Sequence, residues 1–379
     1  MKNHNTFLSS GQIIYPMNIN HKIFLGISIL CLLLSLTFYF TGNTQFFAPF
    51  AIAFFVCLAI SSQGIPAIKG FSFALWIFSS VSAAMFYPGV FQKWGSFELK
   101  ALIVPLLQLI MFGMGTAMSL KDFREVIKSP KAVFIGLVCQ FTIMPIIGIS
   151  LATVFGFPPE IAAGVVLIGS SPSGLASNVM TYIAKANLAL SVTLTTVATL
   201  LAPLMTPMLM KVLAGQLIPI DFWSMMWGIT KIVILPIIAG LIFNKLLHGK
   251  TKWLDDAMPK VSMISIAIVI SIITASGRDS LLEIGIALII ASIIHNSAGY
   301  FLGYWSCRFL KMDERSCRTI ALEVGLQNGG LASGIALQMG KVATVGLAPA
   351  VFGPMMNITG STLASWWRDK PLRDEPDTT

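Results

Sequence analysis

Ala321-Leu322-Glu323-Val324-Gly325-Leu326-Gln327-Asn328-Gly329-Gly330-Leu331-Ala332-Ser333 is the stretch on which the reading of this chain turns. It interrupts an apolar run over 319–339 that is otherwise long enough to cross a bilayer. A carboxylate near the bilayer centre costs about 2.5–3.5 kcal/mol even on the lenient insertion scale. Such a side chain is tolerated where it faces a bundle interior or coordinates an ion. Glycines around Glu323 loosen the helix, and Gln327 and Asn328 offer amide oxygens. The combination predicts a cation site in a broken transmembrane helix.

The rest of the chain supplies the membrane. Of 379 residues, 55% are hydrophobic and 11% charged, and the mean hydropathy is +0.81. A soluble domain carries about 25% charged residues. Apolar runs fall near 22–40, 46–65, 71–91, 101–118, 132–156, 161–183, 187–211, 224–245, 261–276, 281–307, 319–339 and 343–367. These predict an all-α polytopic protein with twelve spans, its first two forming a helical hairpin. The first run does not read as a signal peptide, because a polar leader precedes it and no A-x-A site directly follows.

The net charge of +9 is not a nucleic-acid footprint, because the basic residues sit in short loops between apolar runs. One set of loops holds Lys22, Lys69, Lys121, Arg124, Lys128, Lys131, Lys185, Lys245, Lys250, Lys252, Lys260, Arg308, Lys311, Arg315 and Arg318. Lys2 precedes them, and Arg368, Lys370 and Arg373 follow. The opposite set holds Lys93, Lys100, Lys211, Arg278 and Lys341, while Lys231 falls within a span. This asymmetry places both termini in the cytoplasm of a multi-pass inner-membrane protein whose surroundings are the lipid bilayer. Cys31, Cys57, Cys139, Cys307 and Cys317 show no C-x-x-C spacing and read as small buried apolar side chains. No P-loop motif occurs, so active transport would draw on an ion gradient.

An internal repeat locates the expected site. Gly174-Leu175-Ala176-Ser177 recurs as Gly330-Leu331-Ala332-Ser333, and Leu201-Ala202-Pro203 with Pro207-Met208 recurs as Leu347-Ala348-Pro349 with Pro354-Met355. The copies fall an odd number of spans apart, which predicts an inverted repeat with a site at the midplane. In the first copy, Ser170-Ser171-Pro172-Ser173-Gly174 should unwind a helix, freeing carbonyls for a cation and aiming half-helix N-termini at an anion. The second copy supplies Glu323, Gln327 and Asn328. No Lys or Arg is expected in either broken helix, so an anionic solute would be held by neutral donors.

At these residues the chain resembles the bile acid:sodium symporter family, over roughly residues 71–367. The likeness rests on Ser177-Asn178-Val179-Met180-Thr181-Tyr182, Ala189-Leu190-Ser191-Val192-Thr193-Leu194-Thr195 and Glu323-Val324-Gly325-Leu326-Gln327-Asn328. Gly113-Met114-Gly115 before Leu120-Lys121-Asp122-Phe123, and Gln140-Phe141-Thr142-Ile143-Met144-Pro145, fit as well. The resemblance implies two inverted five-helix repeats with crossing broken helices, arranged as core and panel domains. It also implies sodium-coupled symport of an organic anion, with two Na⁺ ions. The first ion would use Ser177, Asn178, Ser191, Thr195 and Glu323. The second would use Gln140, Glu323, Gln327 and main-chain oxygens of Val324 and Leu326. The anion would lie near Asn328, Asn357, Gly174, Leu175 and Ala176.

On this reading, residues 1–66 form an N-terminal extension with two extra transmembrane helices, outside the family's pattern. Residues 67–367 form the ten-helix unit, with repeats at about 67–213 and 222–367, and 368–379 form a cytoplasmic tail. A monomer or weak oligomer is expected. Leu175 stands where many bacterial members of the family carry a Thr beside the substrate. His295-Asn296 could serve a proton relay or simply satisfy a neighbouring helix. Two alternatives stay open: a proton-coupled anion transporter, and an intramembrane enzyme, for which no second deep carboxylate or nucleophile context is evident. The sequence does not name the solute.

Overall fold

In the computed structural model, residues 18–65, 68–118, 128–247 and 252–372 are described. Lys2, Lys121, Arg124, Lys250, Arg373 and the motif at 120–123 lie outside them, as does the expected domain boundary at 66–67. The chain falls into two compact units, one ending at Ser79 and the other beginning at Ser80.

The first unit is a helical hairpin of α1 (Ile19–Phe40) and α2 (Thr44–Ser62), followed by α3 (Ser72–Phe86), which carries the boundary. Asn18 caps α1 with its side chain, and His21 Nδ1 lies 3.0 Å from the Ile60 carbonyl on the other arm. Phe38 stacks on Phe50 at 5.6 Å, and Tyr39 meets Phe47 at the same distance, so aromatic pairs close the hairpin near its turn. Ile19, Leu30, Leu33 and Phe40 are more than half exposed, as suits a surface that meets lipid.

After the end of α3, the second unit continues with α4 (Pro88–Gln92) and a small antiparallel pair, β1 (Lys93–Trp94) with β2 (Phe97–Glu98). Then come α5 (Ile103–Ala117), α6 (Pro130–Val154), α7 (Pro159–Gly169), α8 (Ala176–Ile183) and α9 (Leu188–Ala214). After them come α10 (Phe222–Ile229), a π-helical turn (Thr230–Ile234), α11 (Leu235–Leu247), α12 (Lys252–Ser276) and α13 (Arg278–Phe309). The chain closes with α14 (Glu314–Gly325), α15 (Gly329–Gln338) and α16 (Leu347–Arg368). Among the described residues, eight helices are long and apolar enough to cross a membrane. The expected runs at 161–183 and 319–339 are not among them, because each is split into two short helices. The protein is an all-α polytopic membrane protein.

Small residues and caps set the broken helices in place. Asn187, Asp313 and Asn328 each cap a helix by accepting a backbone N–H, from Leu190, Ser316 and Leu331 respectively. A Cβ at Gly299 would lie 3.0 Å from the Cα of Gly325, and one at Gly303 3.1 Å from that of Ala321. This G-x-x-x-G face of α13 therefore lets the α14 backbone approach closely, as small residues do at membrane helix interfaces. Every residue of α14 but Arg315 is buried, against Val133, Cys139 and Met144 of α6, Leu190 and Leu194 of α9, and Cys307 of α13.

One expectation is corrected here. The helix bearing Glu323 starts at Glu314 rather than near 319, because Asp313 supplies its cap, and so it includes Arg315 and Arg318. Arg318 is 2% exposed, and its charge is absorbed locally. It donates to Glu314 at 2.9 Å and to the carbonyls of Trp367 at 3.0 Å and Pro371 at 2.8 Å. The cation stands at the start of the helix, away from the break, which stays free of Lys and Arg.

Candidate functional site

The two breaks meet. Pro172 lacks an N–H and helix α7 ends at Gly169, so the chain runs extended through Ser173 before α8 begins. The second break spans only 326–328. Ser173 and Gln327 form an antiparallel bridge. The Gly174 N–H donates to the Leu326 carbonyl at 3.0 Å, and the Asn328 N–H donates to the Pro172 carbonyl at 2.8 Å. Backbone groups that lost their helical partners thus satisfy each other, as a low-dielectric interior demands. A Cβ at Gly174 would stand 3.0 Å from the Gln327 carbonyl oxygen, so a residue without a side chain suits this contact.

Glu323 sits beside this crossing, 2% exposed. Ser173 Oγ donates to its Oε2 at 2.6 Å, and Ser191 Oγ lies 2.5 Å from Oε1. Thr195 Oγ1 lies 2.9 Å and 3.1 Å from the two carboxylate oxygens. Asn178 Oδ1 is 2.8 Å from Ser191 Oγ and 3.3 Å from Thr195 Oγ1. Ser177 Oγ is 3.2 Å from Thr195 Oγ1 and donates to the Gly174 carbonyl at 2.8 Å. The hydroxyls of Ser177, Ser191 and Thr195 each have one proton and face several oxygens. Among the described residues no Lys, Arg or His forms an ion pair with Glu323. The result is a buried negative group in a cluster rich in oxygen lone pairs and poor in positive charge, a donor set suited to a hard cation.

Ser177, Asn178, Ser191, Thr195 and Glu323 are therefore brought together by α8, α9 and α14. Ser173 joins them and was not singled out from the sequence. It stands in the quoted break, but an extended segment has no helical period to show where a side chain points.

A second polar group lies next to the crossing. Gln140 of α6 donates through Nε2 to the Ser171 carbonyl at 2.9 Å and to Gln327 Oε1 at 2.7 Å. Gln327 in turn donates to the Val324 carbonyl at 2.6 Å. Among the described residues, the buried Gln140 Oε1 has no hydrogen-bond partner. Gln140, Gln327 and Val324 are thus in mutual contact, while the Leu326 carbonyl is engaged by Gly174.

Of the residues expected near the solute, Gly174, Leu175, Ala176 and Asn328 lie at the breaks and Asn357 lies within α16. Asn328 is buried, with Oδ1 accepting from Leu331 N at 2.9 Å and its amide Nδ2 outside that cap. Leu175 and Ala176 are half-buried at the start of α8. Asn357 of α16 donates to the Gly353 carbonyl at 2.9 Å. His295 is fully buried, with Nε2 3.3 Å from the Met144 carbonyl and its ring edge-on to Phe352 at 5.3 Å. It makes no hydrogen bond to Glu323. Among the described residues, no group of three or more His, Cys, Asp and Glu converges as a metal cluster. The site is one carboxylate among neutral oxygens.

A profile of the sodium bile acid symporter family matches residues 104–284. The uncharacterized sodium-dependent transporter YocS of Bacillus subtilis (strain 168) is 39% identical over 302 residues, 79% of this chain and 92% of that protein. The chain belongs to the sodium bile acid symporter family. The probable sodium/metabolite cotransporter BASS1, chloroplastic, of Arabidopsis thaliana is 33% identical over 262 residues, covering 69% of this chain and 65% of its own length. The BASS3 cotransporter of the same plant is 32% identical over 313 residues, 82% and 70% of the two chains. Membership of this family makes the protein one of a group whose members are named as transporters and cotransporters rather than enzymes.

Proposed function

We propose that this protein is a sodium-coupled symporter that carries an organic anion across the membrane by alternating access. The observation that carries the reading is Glu323, a buried carboxylate with hydroxyl partners and, among the described residues, no counter-ion, at the crossing of two broken helices. A charge kept in such a place is functional by default. Two Na⁺ ions fit the two adjacent polar groups. One would take Ser177, Asn178, Ser191, Thr195 and Glu323. The other would take Gln140, Glu323, Gln327 and the carbonyls of Val324 and Leu326.

The solute would sit against Asn328, Asn357 and the backbone at Gly174, Leu175 and Ala176, held by amides and half-helix N-termini. The relatives named as sodium/metabolite cotransporters support an organic solute, either bile-acid-like or a small carboxylate metabolite. Inverted repeats at about 67–213 and 222–367, with core and panel domains, would rock around this site. The hairpin of α1 and α2 would be an N-terminal addition to this ten-helix unit. Both termini face the cytoplasm of the inner membrane, following the loop charges.

The test is uptake into proteoliposomes holding the purified chain. Candidate anions are first found by thermal shift in Na⁺ against K⁺, since a coupled ligand stabilises the fold only with its ion. Uptake should require an inward Na⁺ gradient and, with two Na⁺ per monoanion, should carry current. Uptake that tracks a pH gradient without Na⁺ would replace this reading with proton coupling. A chemically altered product would replace it with an enzyme.

A further inference from the structure

A groove of about 1030 Å³ lies between α13 and α16 in the second unit, its lining free of the residues that form the crossing. Tyr300, Phe301, Tyr304 and Trp305 wall it on one side, and Trp366 and Trp367 on the other. Phe301 and Trp366 are more than half exposed, so the groove opens outward, and α13 on one side of it is long and apolar enough to cross the membrane.

Its two ends differ in chemistry. Toward Ser297 and Ile358 it is bounded by apolar and hydroxyl groups, while Glu314, Arg318 and Lys370 stand at the other end. That end is rigid. Tyr304 donates to Glu314 at 2.8 Å and stacks on Trp367 at 5.8 Å, and the Arg318 guanidinium lies over the Trp367 ring at 5.8 Å. Glu314 is the groove's single lining carboxylate, and Arg318 neutralises it at 2.9 Å, with Arg308 3.8 Å away. Lys370 is the surplus charge, its Nζ 5.6 Å from the Trp366 ring centroid at the mouth. The mouth is therefore net positive above an aromatic trough.

We infer that this groove binds an anionic phospholipid, its headgroup phosphate at Lys370 and an acyl chain along the trough between α13 and α16. Three features favour this occupant. Trp and Tyr belong where one end of a site is apolar and the other wet. A juxtamembrane Lys attracts anionic lipid headgroups. From Ser297 to Trp305 the trough follows α13 for about 12 Å at the helical rise, enough for the upper part of an acyl chain. The chain's own tail at 373–379 carries acids that could meet Lys370 but no large apolar side chain to fill the trough.

The experiment is native mass spectrometry of the full chain in detergent, titrated with phosphatidylglycerol or phosphatidylcholine. The wild type should retain phosphatidylglycerol in preference. Lys370→Gln should weaken that retention about fivefold, the equivalent of about 1 kcal/mol, and leave phosphatidylcholine unchanged. Trp366→Leu should weaken both lipids. Both side chains are exposed, so folding should survive, and Na⁺-dependent thermal shifts should match the wild type. Equal retention of the two lipids, or a Lys370→Gln protein that retains phosphatidylglycerol normally, overturns the assignment. So does loss of transported-anion binding in these variants with lipid retention intact, which would make the groove a solute pocket.

Discussion

Two acids at opposite ends of α14 are equally hidden, Glu314 at 3% exposed and Glu323 at 2%. Their neighbours differ. Glu314 faces the Arg318 guanidinium at 2.9 Å and the Tyr304 hydroxyl at 2.8 Å, so its charge is answered within the protein. Among the described residues, Glu323 is met by hydroxyls, those of Ser173, Ser177, Ser191 and Thr195. Burial alone marks neither as functional. An internal counter-ion makes an acid part of the scaffold, whereas its absence leaves room for a cation that comes and goes.

The comparison breaks first at the scaffold end. Glu314→Gln leaves Arg318 buried beside a neutral amide, and removing one partner of a buried pair costs about 3–5 kcal/mol. A fall in melting temperature should appear in the detergent-solubilised protein, with the Na⁺ dependence of whatever remains folded unchanged. If Glu314→Gln is as stable as the wild type, the pair is not structural.

Glu323→Gln is the sharper test of the other end. It keeps the shape and one oxygen but removes the charge. Na⁺-driven uptake should fall by about 100-fold or more, since hydrogen bonds to charged groups contribute about 1.5–3 kcal/mol and direct ion contact adds to that. Stability in Na⁺-free buffer should change little or rise. Normal sodium dependence in this variant would end the proposed role of the site.

Smaller effects should follow among the hydroxyls. Ser173→Ala, Ser191→Ala and Thr195→Val each remove one oxygen from the carboxylate's shell. Each should raise the Na⁺ concentration for half-maximal uptake by about fivefold, the equivalent of about 1 kcal/mol. Ser173 is the informative member, because only its place in the fold puts it there. A Ser173→Ala protein with unchanged sodium affinity would confine the site to α8, α9 and α14.

The least effect is expected at the pair of Lys341 with Glu160, whose side chains are 31% and 38% exposed. Solvent screens it, so Lys341→Gln should change stability by less than about 1 kcal/mol. A thermal shift as large as that of Glu314→Gln would show that exposure is a poor guide to the strength of ion pairs in this protein.

Much of this was legible in residue order. Pro172 and Gly174, and the glycines around Asn328, announce two breaks because Pro lacks a donor and Gly lacks a restraint, and the structure breaks the helices at 170–175 and 326–328. Glu323 declares itself because hydrocarbon penalises charge. The start of α14 was misplaced because an apolar window begins where hydrophobicity begins, whereas the helix begins where Asp313 caps it. Arg318 consequently read as a loop cation and is in fact buried.

Sequence by itself thus determined the membrane class, the presence of two interrupted helices and the acid to be explained, since each follows from a local cost that no partner can hide. Only the tertiary structure decided which groups answer that acid. Ser173 lies 150 positions from Glu323, and they meet because the two breaks pair as an antiparallel bridge. The α14 helix reaches the crossing because Gly299 and Gly303 allow close approach. Such contacts depend on helix rotation and separation to within an ångström or two, and neither is written in the spacing of residues along one chain.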